Sequence, residues 1–383
     1  MDGPLSGVKV LDLSRVLAGP YCTMMLADFG AEIIKVEPPG TGDDARAFGP
    51  FLENKESAYF ISINRGKKSI TLDLKSEEDK KILWELVKKC DVLVENYRPG
   101  TMEKLGLGYE EIKKVNPGMI YAAISGFGHT GPYSQRPAYD MVVQGMGGVM
   151  SITGYPDGKP VRVGTSIGDI NAGLFAVIGI LLAYTHKQKT GEGQKLDVAM
   201  LDSQVAILEN AVVRYDFSGQ APKPLGTRHP SICPFQAYPT SDYYIIIAGG
   251  NDVLFHKMCD AMGLEHCKVD PRFLTNGLRS GNIDALEELI SEVSVTKTTE
   301  EWLAILTEAG VPAAPINTID KVVNDPQVLY RGMIKEIFYP ELDRVMRFAG
   351  NPVNLSKTPP ATHEKAPLLD ENREEILREF LSD

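Results

Sequence analysis

The sequence predicts an α/β protein of two domains, the larger an open parallel sheet with crossover helices and the smaller a second α/β unit. Three observations predict it. Short apolar runs rich in β-branched residues recur through the first half with helical patterns between them, the rhythm of parallel strands joined by crossovers. That rhythm breaks over residues 205–240, where Ser218, Gly219, Pro222, Pro224, Gly226 and Pro230 interrupt it. A new strand and three helices follow, and 383 residues that are 43% hydrophobic suffice for two cores.

In chain order, the strand-like runs are 8–13, 33–36, 92–94 and 119–124. Residues 21–29 and 77–89 read as helices between them; the second sets Ile82, Leu83, Leu86 and Val87 on one stripe. Residues 172–184 form the most apolar run, too short and too rich in glycine for a membrane span, so a buried helix is expected. In the second domain a strand at 243–248 precedes helices at 253–262, 283–293 and 299–309. Thr298 stands before the last of these with Glu301 at capping-box spacing. The acidic stretch 369–381 reads as a final surface helix.

Composition narrows the function. A formal charge of −11 argues against nucleic acid or an anionic membrane as partner, because a mostly negative surface repels polyanions. An anionic ligand then needs a local cluster of Lys and Arg. Cys22, Cys90, Cys233, Cys259 and Cys267 show neither CxxC spacing nor metal-ligand partners, so idle thiols are expected and no metal site. The opening residues lack a basic segment followed by a long apolar one, which predicts a cytoplasmic protein. Gly126-Phe127-Gly128-His129-Thr130-Gly131 matches a dinucleotide-binding fingerprint. Pro132 and Pro137 prevent a helix from opening there, and no acidic residue stands on a second strand about 20 positions on.

Several segments together resemble the class III CoA-transferases, a family that includes formyl-CoA and succinyl-CoA:glutarate transferases and the α-methylacyl-CoA racemases. They are GVKVLDLSRVLAGPYCTMMLADFGAEIIKVEPPGTGDDAR, NRGKKSITLDLK, VLVENYRPGTMEKLGLGY, SGFGHTGP, SIGDINAG, KTGEGQKLDVAMLDS and GVPAAPINTIDKVVNDPQV. The resemblance implies a Rossmann-like large domain formed by 1–204 and 326–383, and a small domain with its linkers over 205–325. It also implies an interlinked homodimer with CoA or acyl-CoA as substrate, and no tightly bound cofactor.

Asp169, in Gly168-Asp169-Ile170-Asn171-Ala172-Gly173, precedes the apolar run, where a carboxylate commonly caps a helix. The resemblance implies instead a nucleophile: its attack on a thioester gives a mixed anhydride, then an aspartyl-CoA thioester that an incoming acid opens. The racemases use the same Asp, with a His just before an Asp in the segment after GxGxxGP. Here that pair is Tyr139-Asp140, and a phenol is a poor proton shuttle at neutral pH, so the resemblance points to a transferase. A racemase, or a CoA-binding protein without turnover, is the alternative.

By position, the resemblance assigns CoA contacts to Leu17, Ala18, Leu72, Asp73, Leu74, Lys75, Asn96, Tyr97, Arg98, Lys104, Pro137, Ala138, Tyr139 and Asp140, with charge from Lys35 and Arg46, the latter toward substrate. Formyl-CoA:oxalate members carry Gln and Arg where this chain has Leu17 and Pro38, and a run of glycines where it has Gly226-Thr227-Arg228-His229-Pro230-Ser231. An oxalate acceptor is therefore not expected. The Gly226–Pro230 passage resembles the branch that uses succinyl-CoA and dicarboxylic acids. Arg228 is its candidate for the distal carboxylate, because a guanidinium pairs with a carboxylate bidentately, unless it is an exposed loop charge. His229 is either a substrate contact or a structural group beside Pro230.

Overall fold

A computed structural model describes residues 3–361 and 365–381. Its chain divides into two compact units, residues 1–150, 162–219 and 327–383 in the first and 151–161 and 220–326 in the second. The first unit therefore runs to residue 219 where the broken rhythm suggested 204, because the short helices Met200–Ala206 and Ala211–Ser218 remain with it.

Six strands build the sheet of the first unit: β1 (Lys9–Asp12), β2 (Glu32–Glu37), β3 (Lys67–Thr71), β4 (Val92–Glu95), β5 (Ile120–Ser125) and β6 (Lys195–Ala199). All neighbours pair in parallel, in the order β3-β2-β1-β4-β5-β6. The chain runs outward from β1 in one direction and then from β4 in the other. A crevice opens at the carboxyl ends of the strands at such a switch. Strand residues alternate between two cores, as a sheet covered on both faces requires. Val10, Ile33, Val92 and Ile120 pack with the helices Ala18–Ala27 and Ile167–Thr190. Leu11, Ile34, Leu93 and Tyr121 pack with Glu77–Lys89 and Arg373–Leu381.

Two strands were not legible as apolar runs. β3 begins with Lys67, whose amine is fully buried because it donates to Asp12 at 3.0 Å, to Asn64 Oδ1 at 2.8 Å and to the Pro20 carbonyl at 3.0 Å. Three acceptors let an ammonium group sit inside. β6 carries Lys195 and Asp197, both turned to His129.

The helix Ile167–Thr190 is longer than the run 172–184 and, by length and composition, is long enough to cross a membrane. Its small face, Ala172, Gly173, Ala176 and Ala183, is buried in the core. A Cβ on Gly173 would lie 2.8 Å from the Ala18 carbonyl oxygen, so only glycine permits that approach of the two helices. Phe175, Ile178, Leu181 and Leu182 of the same helix are exposed.

The second unit packs helices Asp252–Met262, Ile283–Ser294 and Thr299–Glu308 on the antiparallel strands β7 (Phe235–Pro239), β8 (Tyr244–Ala248) and β9 (Ala313–Pro315). Thr298 and Glu301 form the reciprocal capping box. At its centre Arg279 is fully buried. It donates to the carbonyls of Cys233, Phe273 and Gly250 and to Asp252, and lies 4.5 Å from the Phe255 ring. Arg279→Met removes these donors at once and leaves three buried acceptors bare. A loss of roughly 3–5 kcal/mol in chemical denaturation is expected, and a loss below about 1 kcal/mol would contradict this role. A hairpin that the sequence did not signal, β10 (Ile334–Tyr339) with β11 (Arg344–Ala349), belongs to the first unit.

Candidate active site

The switch between β1 and β4 opens into a cleft of about 160 Å³. Its floor and walls come from three strand ends, Arg15–Ala18 after β1, Asn96–Pro99 after β4 and Ile124–Gly126 at β5, with Ser134, Arg136–Tyr139 and Asp169 closing it.

The turn after β1 is fixed from outside. Asn96 Nδ2 donates to the Arg15 carbonyl at 2.7 Å, and Asn96 Oδ1 accepts the Arg15 N–H at 2.9 Å. Asp43 accepts the N–H of Val16, which sits in the left-handed region at φ 66. A β-branched residue reaches that conformation only when its surroundings impose it. Asp12 secures the turn from below: it accepts bonds from Ser14, Thr23 and Lys67, and these with Lys35 outweigh its burial and lower its pKa to about 2. After β4, Arg98-Pro99-Gly100-Thr101 forms a turn closed by Thr101 N–H to the Arg98 carbonyl at 3.0 Å, with Gly100 at φ 87 as its third position requires.

Asp169 lies in the first turn of the Ile167–Thr190 helix and lines the cleft, partly buried. The helix is not capped by its own N-cap residue, Ser166. Asp140, the first residue of helix Asp140–Met146, reaches across and accepts the Gly168 N–H at 2.8 Å. Its other oxygen accepts from Gln144 Nε2 at 2.7 Å, and Gln144 Oε1 accepts from Val163 N–H at 2.9 Å. A Cβ on Gly168 would fall 2.7 Å from Val143 and 3.1 Å from Asp140 Oδ1. The approach to Asp169 is thereby fixed on both sides. Burial, and then the carboxylate of Asp140, raise the Asp169 pKa to about 7. Tyr59 feels the same field: burial, followed by Asp169, raises its pKa to about 12.

Cations edge the cleft. Arg15 pairs with Asp44 at 2.9 Å and lies 5.6 Å from the Tyr97 ring; Arg136 stacks at 3.9 Å on Tyr133. Arg98 is exposed and has no side-chain partner among the described residues. Leu17, Ala18 and Met200 supply apolar surface. A smaller hollow adjoins it, sharing Arg15, Asp44 and Tyr97 and continuing to Val36, Glu37 and Pro38.

The residues expected from the sequence divide between cleft and elsewhere. Leu17, Ala18, Asn96, Tyr97, Arg98, Pro137, Ala138, Tyr139 and Asp169 all line the cleft. The amide group of Asn96 is spent on Arg15, so it shapes the floor. Asp140 acts behind the wall, as the cap on Gly168. Leu72 and Leu74 belong to the core behind β3, Asp73 turns back to accept the Lys75 N–H, and Lys75 and Lys104 are exposed outside the cleft. Lys35 is fully buried against Asp43 at 2.8 Å. Arg46 forms two bonds of 2.7 Å with Glu37 and stacks at 3.7 Å on Phe60. In the second unit, the fork of Arg228 is held by Asp284 and Glu287, and His229 Nδ1 accepts the Ser231 N–H. Three of the expected cations, Lys35, Arg46 and Arg228, are thus already neutralised by acidic neighbours. Arg15 and Arg136 were missed. A charged residue directly after the first strand of a parallel sheet was the available signal for Arg15.

In comparison with known proteins, the model of CoA-transferase family III matches residues 5–373. The chain belongs to CoA-transferase family III. It is 43% identical over 380 residues to the acetyl-CoA:oxalate CoA-transferase of Acetobacter aceti, covering 99% of this chain and 96% of the relative. Identity is 42% over 378 residues to the succinyl-CoA:glutarate CoA-transferase of Homo sapiens, covering 99% and 86%. A CaiB/BaiF family crystal structure from Brucella suis superposes with a TM-score of 0.88 at 41% identity, covering 99% of this chain and all of that one. As a family III CoA-transferase the chain is an enzyme.

Proposed function

We propose that the chain passes CoA from a dicarboxylic acyl-CoA, such as succinyl-CoA, to a second small dicarboxylic acid, with Asp169 as covalent carrier. The observation that carries this reading is a carboxylate without a side-chain hydrogen bond among the described residues, set in a cleft edged by Arg15, Arg98 and Arg136. Relatives are named for succinyl-CoA with glutarate, mesaconate and D-citramalate, and one for acetyl-CoA with oxalate. The last of these is named for oxalate, so oxalate stands among the acceptors to be tested.

In the proposed cycle an Asp169 oxygen attacks the thioester carbonyl and CoA leaves as thiolate, giving a mixed anhydride. The thiolate attacks the Asp169 acyl carbon and expels the donor acid, giving aspartyl-CoA. The acceptor carboxylate attacks this thioester, releases the thiolate and forms a second anhydride. The thiolate then takes the acceptor acyl group and restores Asp169. One bond forms as one breaks at every step, so no external energy source is required. Asp140 and Gln144 hold the nucleophile in place, Leu17 and Ala18 offer the pantetheine an apolar shelf, and Arg15, Arg98 and Arg136 offer the phosphates charge-assisted bonds. The hollow beside Tyr97 and Pro38 takes the adenosine end.

We read the exposed stripe Phe175, Ile178, Leu181 and Leu182 as covered by a second copy of the chain, in keeping with the homodimer that the resemblance implies. Five free, buried thiols suit a reducing cytoplasm. Sedimentation of the purified protein at twice the monomer mass is the corresponding expectation.

The test supplies succinyl-CoA with glutarate, mesaconate, D-citramalate or oxalate in turn and follows new acyl-CoA by mass. A new thioester that appears only with an acceptor is expected. Uptake of deuterium at the α-carbon of a 2-methylacyl-CoA, without any acceptor, would favour a racemase instead.

A further inference from the structure

We propose that Glu95 is a positioning residue for the CoA cleft, acting through the Asn96–Pro99 wall, and that its charge makes CoA affinity depend on pH. The inference rests on the CoA-transferase reading of that cleft.

Glu95 ends β4 with only 1% of its surface exposed. Its Oε2 accepts the Tyr97 N–H at 2.7 Å, and between the two stands Asn96, whose amide clamps Arg15. One buried carboxyl therefore fixes the start of a turn that presents Asn96, Tyr97, Arg98 and Pro99 to the cleft. Behind it lies a group of side chains for which the transfer chemistry has no use. His129 Nε2 is 3.9 Å from Glu95 Oε1 and is buried without a hydrogen-bond partner. His129 Nδ1 lies 3.0 Å from Lys195 Nζ, which makes Nδ1 the acceptor and directs the Nε2 proton toward Glu95. Tyr121 from β5, Glu103 from the short helix Thr101–Lys104, Lys195 from β6 and His129 from the loop after β5 complete its charged and titratable surroundings, with Asp197 holding the His129 backbone.

Burial dominates this set, with Glu103 adding to it and the Tyr97 N–H and Lys195 opposing, and the Glu95 pKa rises to about 8. The carboxyl is thus neutral at pH 7 and still accepts the Tyr97 N–H. Above about pH 8 it acquires a buried negative charge directly behind a wall that faces an anionic ligand. Repulsion between unit charges roughly 10 Å apart, at an effective dielectric between about 20 and 40, weakens binding by about four- to fifteenfold.

The experiment is calorimetric titration of the intact protein with CoA from pH 6 to 9.5, for the wild type, Glu95→Gln, Glu95→Ala and Lys195→Met. The wild-type Kd is expected to rise about four- to fifteenfold as pH passes 8. Glu95→Gln keeps the acceptor for Tyr97 and loses the part of the rise centred near pH 8, keeping only what the ionisation of Asp169 near pH 7 gives both proteins. Glu95→Ala binds more weakly than Glu95→Gln at every pH, because the Tyr97 N–H is left without its partner. Lys195→Met removes a cation that favours the ionised form and moves the transition to higher pH. A rise in Glu95→Gln as large as in the wild type, or a wild-type Kd flat across the range, would overturn the proposal while leaving the cleft assignment intact. Failure of the wild type to bind CoA at any pH would overturn the cleft assignment itself and this inference with it.

Discussion

Asp169→Asn is expected to lower turnover by at least about 10⁴-fold while stabilising the fold above neutral pH. The first effect follows from removing the only group proposed to carry the acyl and CoA moieties, and losses of this order accompany removal of a covalent nucleophile. The second follows from the raised pKa. With a folded value of about 7 against an ordinary 3.8, the folded chain holds a proton that the unfolded chain has released between those limits. Stability therefore falls as pH rises from about 4 to 7 and stays lowered above. Asn cannot ionise and avoids that loss. Allowing for partial exposure, the variant gains about 1–3 kcal/mol at pH 8 and almost nothing at pH 4. Denaturant melts at the two pH values read this difference, and an equal gain at both would place its origin in packing. A nucleophile that must be ionised also predicts an acid limb near pH 7 in the wild-type rate profile.

Asp140 is expected to affect both the rate and the position of that limb. Asp140→Ala uncaps the Gly168 N–H, removes the partner that orients Gln144, and frees the turn that aims Asp169. A fall of about 10²-fold in kcat is expected, the size that follows from a displaced catalytic group. Asp140→Asn retains an acceptor for Gly168 and removes the charge that contributes to the raised Asp169 pKa. Its rate recovers most of the loss, and its acid limb moves to lower pH without reaching that of a free carboxylate, because burial is the larger cause. Identical limbs in the wild type and Asp140→Asn would contradict the electrostatic link between the two carboxylates.

What the sequence disclosed and what it withheld have physical reasons. β1, β2, β4 and β5 are built on apolar runs, interrupted in β2 by Lys35, because both faces of the sheet are covered, and such runs are visible without a structure. β3 was hidden because four of its five residues are polar, and β6 because Lys195 and Asp197 break its apolar run; only the three acceptors around Lys67 show why an amine can lie at the start of β3. The motif Gly168-Asp169 was visible through resemblance, but its cap was not. The contact between Asp140 and Gly168 spans 28 residues, and a glycine gives no sign of how closely another helix approaches it. Charged residues were the least legible. Lys35 and Arg46 each have the right type and position for a phosphate contact, yet Asp43 and Glu37 neutralise them. Arg98, which has no side-chain partner among the described residues, and Arg15, paired with the exposed Asp44, line the cleft. A sequence lists cations without saying which are already paired.

The central claim, that Asp169 carries CoA covalently, is tested most directly by the intact mass of the protein after mixing with succinyl-CoA in the absence of an acceptor acid. The account predicts an adduct of the mass of CoA less water on the wild type, absent from Asp169→Ala and discharged by hydroxylamine. An unmodified wild type that nonetheless forms new acyl-CoA when an acceptor is added, or an adduct that persists in Asp169→Ala, would contradict it.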